Sequence, residues 1–161
     1  MAADLEDTLY LDVPAGRVVI EMRPDLAPKH CTQIKTLARR GFYDGIPFHR
    51  VIEGFMAQTG CPRGNGTGGS GSHLKAEFSK EKHVRGICSM ARASNPDSAD
   101  SQFFIMLADS PHLDGQYSVW GKVVSGMEHV DAIKKGNAAR GGTVVDPDKI
   151  VRLLVAADAS A

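Results

Sequence analysis

The chain has 161 residues, and its nineteen Lys and Arg balance nineteen Asp and Glu. That length encloses one core of ordinary size, so a single domain over 1–161 is expected. Zero net charge excludes bulk electrostatics as the means of holding nucleic acid or an anionic membrane, and neither is an expected partner.

At the N-terminus, Asp4, Glu6 and Asp7 stand where a secretory leader carries basic residues. No segment reaches the roughly 18 apolar residues of a membrane span. Cys31, Cys61 and Cys88 are odd in number and form no C-x-x-C pair. These features predict a cytoplasmic protein whose mature chain starts here.

In chain order, Leu9, Leu11 and Val13 alternate with polar neighbours, Pro14-Ala-Gly16 breaks the run, and Val18, Ile20 and Met22 alternate again. That is a hairpin. A helix is predicted over 27–40, with Cys31, Ile34, Leu37 and Ala38 on one face and Gly41 as its stop. Strands follow at 48–52 and 55–58, then a long glycine-rich loop at 60–72. Further strands are predicted at 86–91, 102–107, 118–124 and 150–156, with a second short helix at 127–135 ended by Gly136. Many short strands and two helices point to an all-β-dominated barrel with helices covering its ends.

Three patterns invite chemistry that their surroundings do not support. Gly64-Asn-Gly66-Thr-Gly68-Gly69 satisfies G-x-G-x-x-G, but Ser70-Gly-Ser-His73 follows it where a dinucleotide site opens a helix. The plainer reading is a flexible surface turn whose glycines permit positive φ. His30, His49, His73, His83, His112 and His129 fall at no zinc spacing, so no metal or cofactor is expected. A Ser-His-Asp set can be drawn from so serine-rich a chain, yet no G-x-S-x-G elbow exists to present the serine.

The informative segment is Phe48-His-Arg50-Val-Ile-Glu-Gly-Phe55-Met56-Ala-Gln58-Thr-Gly60. If its first strand runs evenly over 48–52, Arg50 shares a face with Phe48 and Ile52, a costly place for a guanidinium unless function requires it. Alternatively that face is the outside of the barrel and Arg50 lies along it with its stem packed. Spacing leaves both open.

This segment resembles the signature of the cyclophilins. So do Asn65-Gly-Thr-Gly-Gly69, Ser89-Met-Ala-Arg-Ala93, Ser101-Gln-Phe-Phe-Ile105 and Leu113-Asp-Gly-Gln-Tyr-Ser-Val-Trp-Gly-Lys122, in the right order over nearly the whole chain. The resemblance implies an eight-stranded antiparallel β-barrel capped by two α-helices, and a peptidyl-prolyl cis-trans isomerase acting on proline-containing peptides and on unfolded or folding proteins. It makes Arg50 the catalytic cation, with Phe55, Met56, Phe104 and Leu113 as the proline pocket. It makes Gln58 and Gln102 polar contacts, Ala91, Arg92 and Ala93 the backbone that pairs with substrate, and Gly66 part of the neighbouring groove. Three positions depart from familiar eukaryotic members. His112 stands where tryptophan is frequent, Tyr117 where a histidine usually lines the pocket, and Arg92 where asparagine is common. The first implies weak cyclosporin binding, and the last a shifted peptide preference. The compact loops and the Met-Ala-Arg segment look more like bacterial members.

The residue types suit this chemistry. X-Pro rotation is slow because resonance gives C–N double-bond character, a barrier of about 18–20 kcal/mol. At the twisted transition state the prolyl nitrogen regains a lone pair, so a fixed donor aimed at it favours that state over the planar one. Arginine is a permanently charged donor of this kind. Two rival readings use the same barrel: a proline-peptide binding or chaperone module in the same groove, and a lipocalin-like carrier with its ligand inside. Balanced charge and the lack of an obvious amphipathic surface helix predict a monomer.

Overall fold

The structure is a computed structural model and describes residues 5–159. Of the acidic N-terminus on which the cytoplasmic expectation rests, residues 1–4 lie outside the described residues. The described residues form eight strands and two α-helices: β1 (Thr8–Val13), β2 (Gly16–Met22), α1 (Pro28–Arg39), β3 (Arg50–Ile52), β4 (Met56–Thr59), β5 (Ile87–Met90), β6 (Phe103–Met106), β7 (Val119–Ser125), α2 (Met127–Asp131) and β8 (Arg152–Val155).

Alternation explains the opening hairpin. Leu9, Leu11 and Val13 on β1 and Val18, Ile20 and Met22 on β2 are all buried, with pairs running from Thr8–Glu21 to Val13–Gly16. Helix α1 starts at Pro28, whose missing N–H costs nothing in the first turn, and buries Cys31, Ile34, Leu37 and Ala38. Ala27 offers no capping side chain. Instead the Glu77 carboxylate accepts from His30 N at 2.9 Å and Lys29 N at 3.3 Å, docking the 72–82 segment onto the helix start.

The sheet order is β3-β4-β6-β5-β7-β2-β1-β8, and every neighbouring pair is antiparallel. The sheet curls until its edges, β3 and β8, face each other across residues 142–150. That segment closes the ring: Val51 N donates to Gly142 O, Val144 N to His49 O, Phe48 N to Asp148 O and Ile150 N to Ile46 O. Trp120, Phe103, Phe48 and Tyr43 fill the interior, with Phe103 edge-on to Trp120 at 5.3 Å and to Tyr43 at 5.6 Å. A ligand-carrying barrel is therefore the wrong reading.

A second apolar cluster lies on the opposite face of the same strands. Ala57, Phe103 and Ile105 point inward, whereas Met56, Phe104 and Met106 pack outside against Ile87, Leu113 and Val119. Both faces of β6 are covered, which is why it reads as the unbroken apolar run Phe-Phe-Ile-Met.

Two expectations are corrected. The strand predicted over 48–52 begins only at Arg50, because residues 46–49 turn aside to bond 144–150. Phe48 is consequently in the interior while Arg50 and Ile52 lie outside it, with Val51 pointing in, so the shared face of Phe48 and Arg50 does not exist. Helix α2 ends at Asp131 rather than near 135. Its chain must straighten so that Gly136 N reaches Val51 O, where a Cβ on Gly136 would collide with the Gly142 carbonyl.

Candidate active site

Register assembles the centre of the site. Arg50 on β3 pairs with Gln58 on β4, Gln58 with Phe104 on β6, and Phe104 with Ser89 on β5, so these four form one row on the outer face. The polar members are locked in sequence. Gln102 Nε2 donates to Gly66 O at 2.9 Å and Gly68 O at 3.0 Å, so its carbonyl must face Gln58. Gln58 Nε2 donates to that oxygen at 3.1 Å, which turns Gln58 Oε1 toward Arg50 Nη1 at 3.3 Å. Arg50 Nε donates to Gly141 O at 2.8 Å. Among the described residues, Nη2 of Arg50 makes no hydrogen bond.

Beside this guanidinium lies a cavity of about 130 Å³. Cavities of roughly 150 Å³ accept a benzene ring, so this one suits a small saturated ring. Phe55, Met56, Phe104 and Leu113 make its apolar part, and Arg50, Gln58, Ala91, Arg92 and Tyr117 complete it. His112 is not in the lining; its exposed ring tilts over Phe55 at 5.8 Å, outside the rim. A second depression of about 290 Å³ shares the wall Gln58–Ala91–Arg92 and adds Gly66, Ala93 and Gln102 from the predicted set.

The glycine-rich loop is tied down rather than flexible. Cys61 Sγ accepts from Gly66 N at 3.3 Å and Gly68 N at 3.2 Å, Gln102 holds the carbonyls of the same two glycines, and Asp100 accepts from Ser70 N at 2.8 Å and Gly71 N at 2.9 Å. Burial pushes the Cys61 thiol up, but the backbone N–H groups of Gly68 and its neighbours outweigh it and hold the thiol below its ordinary range. Gly66, at φ +89°, crosses directly over His49.

Behind the cavity stands His83, a residue not singled out by the sequence pattern. Its ring stacks on Phe104 at 6.2 Å and meets Tyr117 edge-on at 6.3 Å. Its backbone N donates to Asp114 Oδ1 at 2.7 Å and its carbonyl accepts from Ser110 N at 2.8 Å, so His83 carries the 110–117 wall that holds Leu113 and Tyr117. Its Nδ1 lies 3.2 Å from Asp114 Oδ1 and its Nε2 lies 2.9 Å from Ser89 Oγ. A Ser-His-Asp set does therefore exist. Ser89, however, is fully buried and also bonds Ser118 O at 3.1 Å, so it cannot reach a substrate carbonyl. Burial lowers the His83 pKa against the pull of Asp114, while the His83 backbone N–H holds Asp114 below the usual carboxylate range.

The predicted residues thus converge, apart from His112 at the rim. Sequence reasoning missed Gly141, which aims Arg50 from 91 positions away, and Asp100 and Ser98 in the second depression. No local signal marks any of these. Among the described residues no cluster of His, Cys, Asp and Glu could hold a metal ion.

Known proteins bear on this geometry. A probable peptidyl-prolyl cis-trans isomerase of Brucella suis is 57% identical, over 98% of this chain and 86% of its own length. The fold matches a cyclophilin of Hirschia baltica with a TM-score of 0.88 at 26% identity, covering 98% of this chain and 77% of that one. It also matches a Cryptosporidium parvum cyclophilin-type peptidyl-prolyl cis-trans isomerase, determined in the presence of the dipeptide Ala-Pro. There the TM-score is 0.83 at 29% identity, over 92% of this chain and 98% of the other. The family model for cyclophilin type peptidyl-prolyl cis-trans isomerases matches residues 8–155, and the chain belongs to that family of enzymes.

Proposed function

We propose that the protein isomerises X-Pro bonds by seating the proline ring in the 130 Å³ cavity and donating a hydrogen bond from Arg50 to the prolyl nitrogen as the amide twists. The observation that carries this reading is the locked chain Gly66/Gly68–Gln102–Gln58–Arg50 beside an apolar pocket. It holds two edges of the guanidinium before substrate arrives and leaves Nη2 to donate. A planar prolyl nitrogen has no lone pair to offer; a pyramidal one has, so the bond forms only where the barrier lies. Phe55, Met56, Phe104 and Leu113 anchor the ring and disfavour the more dipolar planar amide. No nucleophile or proton transfer is needed, consistent with the burial of Ser89.

Arg50→Ala is expected to lower kcat/KM on a proline peptide by roughly 10²- to 10³-fold, the loss seen for one transition-state donor. Arg50→Lys should recover little, because a point charge cannot hold both Gly141 O and Gln58 Oε1. Full turnover by a folded Arg50→Ala protein would sink the mechanism. Normal peptide binding without turnover would favour catalysis over a chaperone-like binding role.

We extend the proposal to a cytoplasmic, monomeric, single-domain enzyme acting on unfolded or folding chains, with weak cyclosporin binding because His112 offers a small ring at the rim. The three free, buried cysteines suit a reducing compartment.

A further inference from the structure

Arg92 stands on the wall shared by the two depressions, and the isomerisation chemistry leaves its charge unused. Its guanidinium is fixed in place. Nη2 and Nε donate to Gln116 O at 2.8 and 3.2 Å, Nη1 donates to Ala93 O at 3.0 Å, and the group lies 4.8 Å over the Tyr117 ring. Every one of those partners is neutral. Arg17, Arg23, Arg39 and Arg85 are each paired with carboxylates, whereas among the described residues Arg92 forms no ion pair. Carbonyls and a ring orient a cation without cancelling its charge.

The other charged groups facing the second depression offset it only in part, because the negative charge of Asp100 is held on the far side, against the glycine-rich loop. Asp100 is the one carboxylate in its lining, and both of its oxygens are turned to the glycine-rich loop, accepting from Ser70 N, Ser70 Oγ and Gly71 N. His73 also lines the depression and adds no negative charge. On the far side of the shared wall, Arg50 adds a second cation at the first cavity. A peptide with its proline in the first cavity must pass a neighbouring residue across Arg92. An acidic side chain there is attracted by the unpaired cation of Arg92, and a basic one is repelled by it.

We propose that Arg92 is a specificity-determining residue that favours substrates carrying Asp or Glu close to the proline, with that side chain in the second depression. The inference rests on the isomerase reading above and adds to it a substrate class. Because Arg92 is part-exposed, the preference is modest, roughly two- to fivefold, the size of one solvent-screened ion pair. It appears in KM rather than kcat, since the charge meets planar and twisted amides alike.

The test is a set of proline peptides differing only in Glu, Gln or Lys, placed in turn at the two positions on either side of proline, with isomerisation followed by NMR exchange. At low salt the Glu peptide should exceed its Gln partner in kcat/KM at one position, with Lys below both. Raising NaCl to about 0.5 M should bring the ratio toward one in the unaltered protein, so the outcome does not depend on a variant folding. Arg92→Gln should also remove the Glu-to-Gln ratio whatever its overall rate, and Arg92→Lys should keep part of it. A ratio of one in the unaltered protein at low salt, or a ratio that survives Arg92→Gln, overturns the role of Arg92 while leaving the isomerase reading intact. Failure to turn over any of the peptides would overturn both.

Discussion

Strand β6 sends Phe103 and Ile105 to one side of the sheet and Phe104 and Met106 to the other, and all four are buried. The two sides face different things. Phe103 sits in the barrel interior with Trp120 and Tyr43 against its ring. Phe104 has His83 behind it, Tyr117 edge-on at 5.6 Å beside it, and an open cavity in front. One aromatic closes a core while its neighbour lines an open cavity. Burial alone does not separate the two roles; the presence of packed atoms on every side does.

Substitution should pull these roles apart. Phe103→Ala removes a ring that is packed all round and is expected to cost about 3–5 kcal/mol of stability. Phe104→Ala forfeits contacts on fewer sides, so about 1.5–3 kcal/mol is expected, together with a raised KM for proline peptides. Denaturant unfolding and peptide kinetics on the two variants measure this. Equal destabilisation with an unchanged KM for Phe104→Ala would break the comparison.

The hydrogen-bonded chain from Gln102 through Gln58 to Arg50 sharpens it further, because it aims a side chain and ties down a surface loop rather than filling the core. Gln102→Ala would free the glycine-rich loop at Gly66 and Gly68 and let the Gln58 amide turn away from Arg50. A fall of roughly tenfold in kcat is expected, with stability changed by only about 1 kcal/mol because the groups exposed can bind water. A loss of stability in proportion to the loss of activity would make these hydrogen bonds structural.

The parts legible in the sequence are those governed by one local period. The β1–β2 hairpin and α1 show their buried faces directly, since their spacings of two and of three to four residues meet one core. Arg50 was ambiguous because β3 has three residues and the chain before it is irregular, so alternation could not be carried back to Phe48. The family motifs, not periodicity, assembled the pocket. What escaped was the distant bonding: Gly141 to Arg50, Gln102 to the glycine-rich loop, and His83 to Asp114 each depend on the curl of the sheet. The glycine-rich loop looked flexible for the same reason, as its anchors Asp100 and Gln102 arrive from about β6. The end of α2 depends on a backbone approach between Gly136 and Gly142 that no helical spacing records.

The smallest expected effect concerns pH, and it also divides by region. Burial lowers the pKa of His30 at the start of α1, and of His49 and His83 beneath the site. Arg50 lowers His49 further, while Glu77 and Asp114 oppose the shift at His30 and His83. His30 Nε2 and His49 Nδ1 are buried without a hydrogen-bond partner among the described residues, so protonation would add an N–H with nothing to receive it. In the unfolded chain these imidazoles take up protons near pH 6.5, whereas in the folded chain they resist until lower pH. The unfolded state therefore binds more protons below about pH 6.5, and stability is full above that value and declines as the pH falls through the lowered folded values. Melting temperature should be level from pH 8 to 7 and drop between about 6.5 and 5. His30→Gln should blunt the drop while leaving the peptide kinetics alone, because His30 and Glu77 hold α1 and lie away from both depressions. His83→Gln should blunt it too but raise KM, since the same ring supports Phe104 and the Leu113 wall. A melting temperature that stays level down to pH 5 would show that these histidines protonate in the folded chain as easily as in the unfolded one, and equal kinetics in the two variants would remove the distinction between the helix and the site.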